Sequence, residues 1–138
     1  MATTIEIAAY AAGLFDGEGY LGLSRVVKPA YSQYQMLARI NMVASAGVTL
    51  LQKEFGGTLH VRELVDPNCR AQTYWSIQSR SGVYDFLSVI RPYSLVKKNH
   101  VELAFLYFET IPTDRIDPEL RDAFYLKFRE LNKRGKDV

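Results

Sequence analysis

Residues 11–19, Ala-Ala-Gly-Leu-Phe-Asp-Gly-Glu-Gly, join a predicted helix of small side chains to a predicted strand. Gly17 and Gly19 break the helix, because glycine permits the backbone angles that such a turn needs. Asp16 and Glu18 therefore lie where the chain leaves the helix, beside carbonyl groups that have no helical partner. Carboxylate and carbonyl oxygens together are the ligands that a hard divalent cation such as Mg²⁺ prefers. The segment predicts an acidic, oxygen-rich corner.

The helix before this corner has hardly any bulky side chains. Thr3 is expected to begin it, since Glu6 follows three residues later and each side chain can cap the other's backbone N–H. Gly13 costs about 1 kcal/mol relative to alanine in a helix interior, so its presence asks for a compensating contact. Small side chains let another backbone approach closely, either within the chain or from a second one. The residues expected at such a contact are Ala8, Ala9, Ala12 and Gly13.

Length and composition indicate one domain over residues 1–138. The chain has 138 residues, of which 48% are hydrophobic, and this is enough apolar material for a core. We expect the core over about residues 1–110 and a C-terminal helix over about 117–133. One cysteine, Cys69, excludes an internal disulfide and a cysteine-rich metal site.

Targeting signals and overall charge limit the location and the partners. No apolar stretch approaches the roughly 18 residues of a membrane-spanning helix, so no membrane partner is expected. No basic region followed by an apolar run begins the chain, which indicates an intracellular protein of the bacterial cytoplasm or of an organelle such as a mitochondrion or chloroplast. The net charge is only +2, yet the segment from Tyr20 to Arg80 has seven basic residues against three acidic ones. Nucleic acid is a plausible partner for such a locally basic segment.

Alternating polar and apolar residues predict two hairpins, with turns at 28–30 and 66–68. In the second strand one face is polar and the other is apolar, and the second hairpin has the same polarity. The predicted strands are 20–27, 33–44, 58–62 and 72–78.

Apolar residues at helical spacing predict further helices over about 48–55, 83–90 and 101–108, and another from Asp117 onward. We expect Ser81 to cap the helix at 83–90. The buried stripe of the last helix is predicted to be Leu120, Ala123, Phe124, Phe128 and Leu131.

The order of these elements is helix, hairpin, helix, hairpin, helix, followed by more helices. It predicts an α+β fold in which helices cover one face of an antiparallel sheet and leave the other face free.

The segment 11–19 resembles the LAGLIDADG motif of homing endonucleases, with Ala11 in place of the first leucine, Phe15 for the isoleucine and Glu18 for the second aspartate. The αββαββα order that this family implies matches the predicted elements over roughly the first 110 residues. The family also places a lysine near the active site after the third helix, and Lys97 falls there.

The resemblance implies a site-specific endonuclease that makes a double-strand break in a long pseudo-palindromic DNA target by Mg²⁺-dependent phosphodiester hydrolysis. Glu18 and the backbone oxygen of Gly17 would bind Mg²⁺, for which Mn²⁺ is expected to substitute. Lys97 would stabilise developing charge or orient the nucleophile. Asp16 completes the candidate catalytic set, although the first acid of the motif is often structural in the family.

One motif copy per chain implies a homodimer, in which two motif helices pack across a two-fold axis. The free polar face of the sheet would read double-stranded DNA, because a two-stranded ribbon fits the major groove. An ordinary wet face of an antiparallel sheet shows the same alternation. Base contacts are expected from Ser24, Gln33, Gln35, Arg39, Asn41, His60, Arg62, Gln72, Tyr74, Ser76 and Gln78. Phosphate contacts are expected from Lys28, Arg70, Arg80 and Lys98.

One departure from the family pattern leaves a second function open. In related nucleases a polar residue, often glutamine, ends the second strand and helps to order water, whereas the aligned position here is near Ser45 and Ala46. The alternative is a catalytically reduced LAGLIDADG protein that binds nucleic acid, as an intron maturase acting on intron RNA or as a DNA-binding regulator. Glu18 and Lys97 favour the enzyme, because a carboxylate repels phosphate unless a metal intervenes.

Overall fold

The computed structural model describes residues 3–62, 68, 70–112 and 117–133. The helices are α1 (Ile5–Glu18), α2 (Ala46–Phe55), α3 (Arg80–Ile90), α4 (Lys98–Thr110) and α5 (Pro118–Leu131), with a short 3-10 helix at Arg91–Tyr93. The strands are β1 (Gly19–Val27), β2 (Ser32–Met42), β3 (Thr58–Arg62) and β4 (Gln72–Ile77). The predicted α+β class and αββαββα order, with additional C-terminal helices, are confirmed.

The four strands form one antiparallel sheet with the spatial order β1-β2-β4-β3. Its register places Leu21 opposite Ala38 and Ile40 opposite Trp75, and these four side chains are fully buried. Residues of the other parity stand on the opposite face, since successive side chains of a strand point to opposite sides. The prediction of one core face and one polar face is therefore confirmed.

The first three helices meet over the buried face of the sheet around Phe86 of α3. Its ring lies edge-on to Phe15 of α1, Phe55 of α2 and Trp75 of β4, with centroid distances of 5.3, 5.0 and 5.1 Å. Edge-to-face contacts are a favoured arrangement of aromatic rings. The indole N–H of Trp75 donates to the carbonyl of Gly56 at 2.9 Å, so the largest core side chain has no unpaired polar atom at that end.

Polar contacts attach α5 to the first hairpin. The Asp122 carboxylate accepts hydrogen bonds from the Arg25 guanidinium at 2.6 Å and from the Tyr34 hydroxyl at 2.8 Å. These bonds, that of Tyr34 first, lower the pKa of Asp122 below its ordinary value. Asn132, just after α5, donates to the Leu21 carbonyl at 3.0 Å.

Two helix caps differ from the prediction. Thr4, not Thr3, caps α1, because its extended backbone lets the hydroxyl accept from the N–H of Ile7 at 3.2 Å. Ser79, not Ser81, caps α3 and accepts from the N–H of Gly82 at 3.1 Å. Ser81 lies inside the first turn of α3, where the backbone is already helical.

The second strand and the last helix also differ in detail. β2 ends at Met42, so Val43 and Ala44 belong to the connection to α2 rather than to the strand. In α5 Ala123 is exposed and Arg121 is buried in its place, with its guanidinium 5.2 Å from the Tyr34 ring centroid. An arginine stem can cover apolar surface while its charged end stacks on a ring. Phe124 and Phe128 are buried as predicted.

Some predictions fall outside the described residues: most of the turn at 66–68, Cys69, and the chain from 134 onward. Among the helices that the structure describes, none combines the length and apolar character of a membrane span.

Candidate functional site

The end of α1 is tied to the segment that precedes α4. Oδ2 of Asp16 accepts from the backbone N–H of Leu95 at 2.8 Å, and Oδ1 accepts from the backbone N–H of Lys97 at 2.9 Å. Lys97 is the N-cap residue of α4, and its carbonyl accepts from Val101 N–H. A carboxylate at a helix N-terminus is stabilised by the free N–H groups and by the helix dipole. Asp16 thus uses one oxygen to hold the Leu95 backbone and the other to hold the Lys97 backbone.

Glu18, by contrast, is the exposed last residue of α1. The next residue, Gly19, donates its N–H to the Phe15 carbonyl and begins β1. A Cβ on Gly19 would lie 2.5 Å from the Phe15 carbonyl oxygen, so this turn needs glycine for lack of space. Tyr20 then points to the polar face of the sheet, which puts Glu18 at the edge of that face.

The two predicted lysines lie beside this corner. The Lys97 side chain is half-buried, whereas Lys98, the first residue of α4, is exposed. The predicted juxtaposition of Asp16 and Lys97 is thus present through the Lys97 backbone. Sequence reasoning had no signal for the part played by Leu95, since its contribution is a backbone N–H.

The donor set at the corner is too small for a metal within one chain. Over the described residues, no three side chains of histidine, cysteine, aspartate or glutamate gather into a metal-binding group. Asp16 is already engaged, so one chain offers the Glu18 carboxylate and the carbonyls of the last turn of α1, including that of Gly17. These hard oxygens suit Mg²⁺, which also keeps several waters and accepts phosphate oxygens. The residues fit the metal if a second chain or a phosphate completes its shell.

The polar face of the sheet brings the predicted base-reading residues together. Cross-strand pairs include Ser24 opposite Gln35, Arg39 opposite Ser76, and His60 opposite Tyr74. The same parity, together with Gln78 just beyond β4, accounts for the rest of the predicted set, namely Gln33, Asn41, Arg62 and Gln72.

Several of these side chains hold each other in place. Asn41 donates to the Gln72 side-chain oxygen at 3.0 Å. The His60 ring stacks on the Tyr74 ring with centroids 5.1 Å apart, and Arg62 donates to the Tyr74 hydroxyl at 3.3 Å. The face is therefore partly ordered before any ligand binds.

One member of this face was missed from the sequence. Tyr20 lies on it, and the Arg39 guanidinium carbon stands 4.4 Å from the Tyr20 ring centroid. The parity of β1, in which Tyr20, Gly22 and Ser24 alternate with core residues, is the signal that could have found it.

The predicted phosphate-contacting residues divide into two groups. Lys28, in the turn after β1, and Arg70, before β4, are exposed. Arg80 is placed differently: its guanidinium donates to the carbonyls of Phe108 and Ile111 at the end of α4, the donation to Phe108 spanning 3.0 Å. Arg80 is half-buried and closes the end of α4, so part of its guanidinium is already engaged within the chain.

The small residues of α1 also divide. Ala12 is fully buried and Ala8 nearly so, inside the chain's own core, whereas Ala9 and Gly13 are exposed. A Cβ on Gly13 would meet nothing within 4 Å. Of the four small residues, Ala9 and Gly13 therefore lie on the surface of α1, and Ala8 and Ala12 belong to the core.

The segment suspected of lacking a water-ordering group lies between β2 and α2. Ala46 is the first residue of α2 rather than the end of a strand, and the connection is Val43, Ala44 and Ser45. Ser45 caps α2 without a side-chain hydrogen bond to the helix, so its hydroxyl is the polar group that this connection offers.

Comparison with known proteins identifies the fold. No protein-family model matches the sequence, and no curated protein does. Three solved structures are similar to this one. The homing endonuclease I-CvuI, in complex with an I-CreI target in 2 mM Mg and with the DNA not cleaved, has a TM-score of 0.74 at 18% identity over 94% of this chain and 83% of its own. The DNA complex of the group I intron-encoded homing endonuclease I-CeuI has a TM-score of 0.61 at 16% sequence identity, over 79% of this chain and 56% of its own. The LAGLIDADG homing endonuclease I-SmaMI, bound to cleaved DNA, has a TM-score of 0.68 at 15% sequence identity, over 88% of this chain and 42% of its own.

The chain has the LAGLIDADG homing endonuclease fold, as the resemblance of residues 11–19 predicts. It spans most of I-CvuI but less than half of I-SmaMI.

Proposed function

We propose that this chain is a site-specific homing endonuclease that acts as a homodimer and cuts both strands of a pseudo-palindromic DNA target with Mg²⁺. The observation that carries the proposal is the pair of hydrogen bonds from the backbone N–H groups of Leu95 and Lys97 to the Asp16 carboxylate, which we call the clamp at Asp16. It holds the Lys97 backbone next to the end of α1, two residues from Glu18, at the edge of a polar sheet face.

In this proposal Glu18 and the Gly17 carbonyl hold Mg²⁺, and Mn²⁺ substitutes. When bound there, the ion would supply Lewis-acid polarisation of the scissile phosphate and would activate a water. Lys97 places a positive charge beside the phosphate, where charge develops during the displacement. Asp16 acts as a positioning residue, because its two oxygens are occupied by backbone N–H groups.

The homodimer follows from the incomplete donor set. Among the described residues, one chain supplies the Glu18 carboxylate at the corner, and two helices packed through Ala9 and Gly13 would bring two such side chains together. The neighbours support this proposal, since the chain matches 42% of I-SmaMI and leaves room in that chain for a second unit of the same size.

Double-stranded DNA would lie on the polar face of the sheet. The neighbours are complexes with DNA, and the cross-strand pairs of this face present amide, hydroxyl and guanidinium groups at the spacing of a two-stranded ribbon. Lys28, Arg70 and Lys98 are exposed basic groups at the ends of this face or beside the corner, suited to phosphates.

The experiment is selection from a randomised duplex library with Mg²⁺ or Ca²⁺, in which bound and cut molecules are sequenced separately. Glu18→Gln should abolish cutting and keep binding. Glu6→Gln, the same change at an exposed position in the first turn of α1, is the matched control and should cut normally. Cutting by Glu18→Gln would contradict the assignment of the metal ligand.

A nucleic-acid-binding protein without nuclease activity is the second candidate, favoured by the Val43–Ser45 connection that carries only a serine hydroxyl. It predicts binding of DNA or of structured intron RNA, as in a maturase, without cutting in either Mg²⁺ or Mn²⁺. The same selection, repeated with an intron RNA pool, separates the two candidates.

A further inference from the structure

On the polar face, the side chain of Tyr20 lies along β1 over Gly22. A Cβ placed on Gly22 would come 2.4 Å from the Tyr20 hydroxyl oxygen and 2.7 Å from Cζ, which is closer than any ordinary contact. Glycine at position 22 therefore leaves the space that the tyrosine ring occupies. Any larger residue there would push the ring off the strand.

The ring in turn supports Arg39 on the neighbouring strand. Arg39 is directly opposite Tyr20 in the sheet register, and its guanidinium carbon is 4.4 Å from the ring centroid. A guanidinium over an aromatic face is attracted by the ring quadrupole, and the flat contact fixes its plane. Within the part of the chain that the structure describes, this guanidinium makes no hydrogen bond or ion pair, so the N–H groups along its edge are available to a ligand.

Other arginines stacked on tyrosine or placed on this face are engaged differently. Arg25 lies 4.3 Å from the Tyr125 ring centroid, but on the helix side, where Asp122 pairs with it. Arg62 shares the polar face, but it donates to the Tyr74 hydroxyl. Arg39 combines a fixed plane with free donors.

We infer that Tyr20 and Gly22 are positioning residues that orient Arg39 to read one guanine in each half-site of the DNA target. Guanine presents two acceptors, N7 and O6, in the major groove, and a planar guanidinium matches both at once. A guanidinium held by its face offers that edge without loss of rotamer freedom on binding. The inference rests on the proposed DNA-binding function and names the residue that determines one base preference.

The test is sequence selection by binding in Ca²⁺, so that no cleavage is needed. In the native protein, one symmetric pair of positions should prefer G·C, and Arg39→Gln should abolish that preference. Tyr20→Leu and Gly22→Ala should each lower discrimination at the same positions by roughly tenfold, in line with the value of one bidentate contact. Tyr20→Phe keeps the ring and should behave as the native protein.

Folding is monitored by the thermal unfolding midpoint, and Arg39→Lys provides a variant that keeps the charge and the fold. It should lose discrimination at the guanine positions while affinity for other sequences stays within about twofold. If the native protein selects no duplex sequence, the proposed function itself is wrong. If a motif is selected but Tyr20→Leu and Gly22→Ala leave every base preference as it was, or lower all of them equally, the positioning role is wrong and the function stands.

Discussion

The Asp16 carboxylate accepts the backbone N–H of Lys97 at 2.9 Å, between residues that are 81 positions apart in the chain. Its other oxygen accepts the N–H of Leu95, two residues earlier. The first acid of the motif is thereby committed to holding a loop, whereas the second, Glu18, is exposed and has no hydrogen bond or ion pair with the residues that the structure describes. Two carboxylates two positions apart in the chain have different tasks, because only Asp16 accepts from backbone N–H donors.

The clamp predicts the effect of Asp16→Asn. An amide has one acceptor oxygen and an NH₂ group, so either the Leu95 or the Lys97 N–H would meet a donor. We expect a loss of about 1 to 3 kcal/mol in the free energy of unfolding, measured by urea titration. Single-turnover cleavage should slow at least tenfold while DNA affinity is kept. In the double variant, Lys97→Ala should slow cleavage little beyond the effect of Asp16→Asn alone. Full additivity of the two changes would mean that Asp16 does not act through Lys97.

Substitution of a small residue by leucine should have different effects on the exposed and the buried side of α1. Gly13→Leu places a side chain into open space and replaces a poor helix former, so the unfolding midpoint of the monomer should not fall. It should nevertheless dissociate the dimer, as seen by analytical ultracentrifugation, and abolish cutting of both strands.

Ala12→Leu is the comparison on the buried side. It adds volume to a fully buried position and should destabilise the fold by about 1 to 3 kcal/mol. A dimer that survives Gly13→Leu would show that the second chain packs elsewhere.

Arg70 and Arg80 should behave differently although both are basic residues flanking β4. Arg70→Ala should weaken DNA binding by a similar factor for all sequences and reduce the slope of log affinity against log salt by about 1. Arg80→Ala should leave that slope unchanged and lower the unfolding midpoint, because the carbonyls at the end of α4 lose their donor. Equal salt slopes for the two variants would contradict this division.

The Asp122 site predicts a pH dependence of stability. Its pKa is lowered in the folded chain by Tyr34 and then Arg25, so the unfolded chain binds a proton more readily. The stabilisation is therefore present above the unfolded value, about 3.9, and is lost as the pH falls through the lower folded value. Urea unfolding measured between about pH 2.5 and pH 6 should show this loss in the native chain and a smaller one in Asp122→Asn. Identical pH profiles for the two proteins would show that Asp122 does not cause the loss of stability at low pH.

Periodicity in the sequence predicts the sheet faces and the helices, and the glycines after Phe15 predict the position of the acidic corner. The prediction that Gly17 breaks the helix is wrong, because α1 continues through it to Glu18. Gly19 alone ends the helix, and it is needed there for lack of space rather than for unusual backbone angles. The choice between adjacent hydroxyls does not follow from such patterns. Thr3 and Thr4, or Ser79 and Ser81, have similar cap propensities, and the exact start of the helix decides between them.

The sequence pattern also does not predict which groups an individual charged residue contacts. Arg80 looks like any basic residue beside a strand, and only the end of α4 shows what it binds. Arg121 occupies a place in the α5 stripe where Ala123 was expected, since the Tyr34 ring gives its guanidinium a partner. Contacts between residues far apart in the chain decide these cases.

The clamp at Asp16 also sets an order for biosynthesis. The ribosome makes the acceptor first and its two donors 79 and 81 residues later. A nascent chain that stops before Leu95 carries both acids of the motif but not the loop that completes the corner. Prematurely terminated products of this gene are therefore unable to assemble the site, whatever part of the sheet they have already formed.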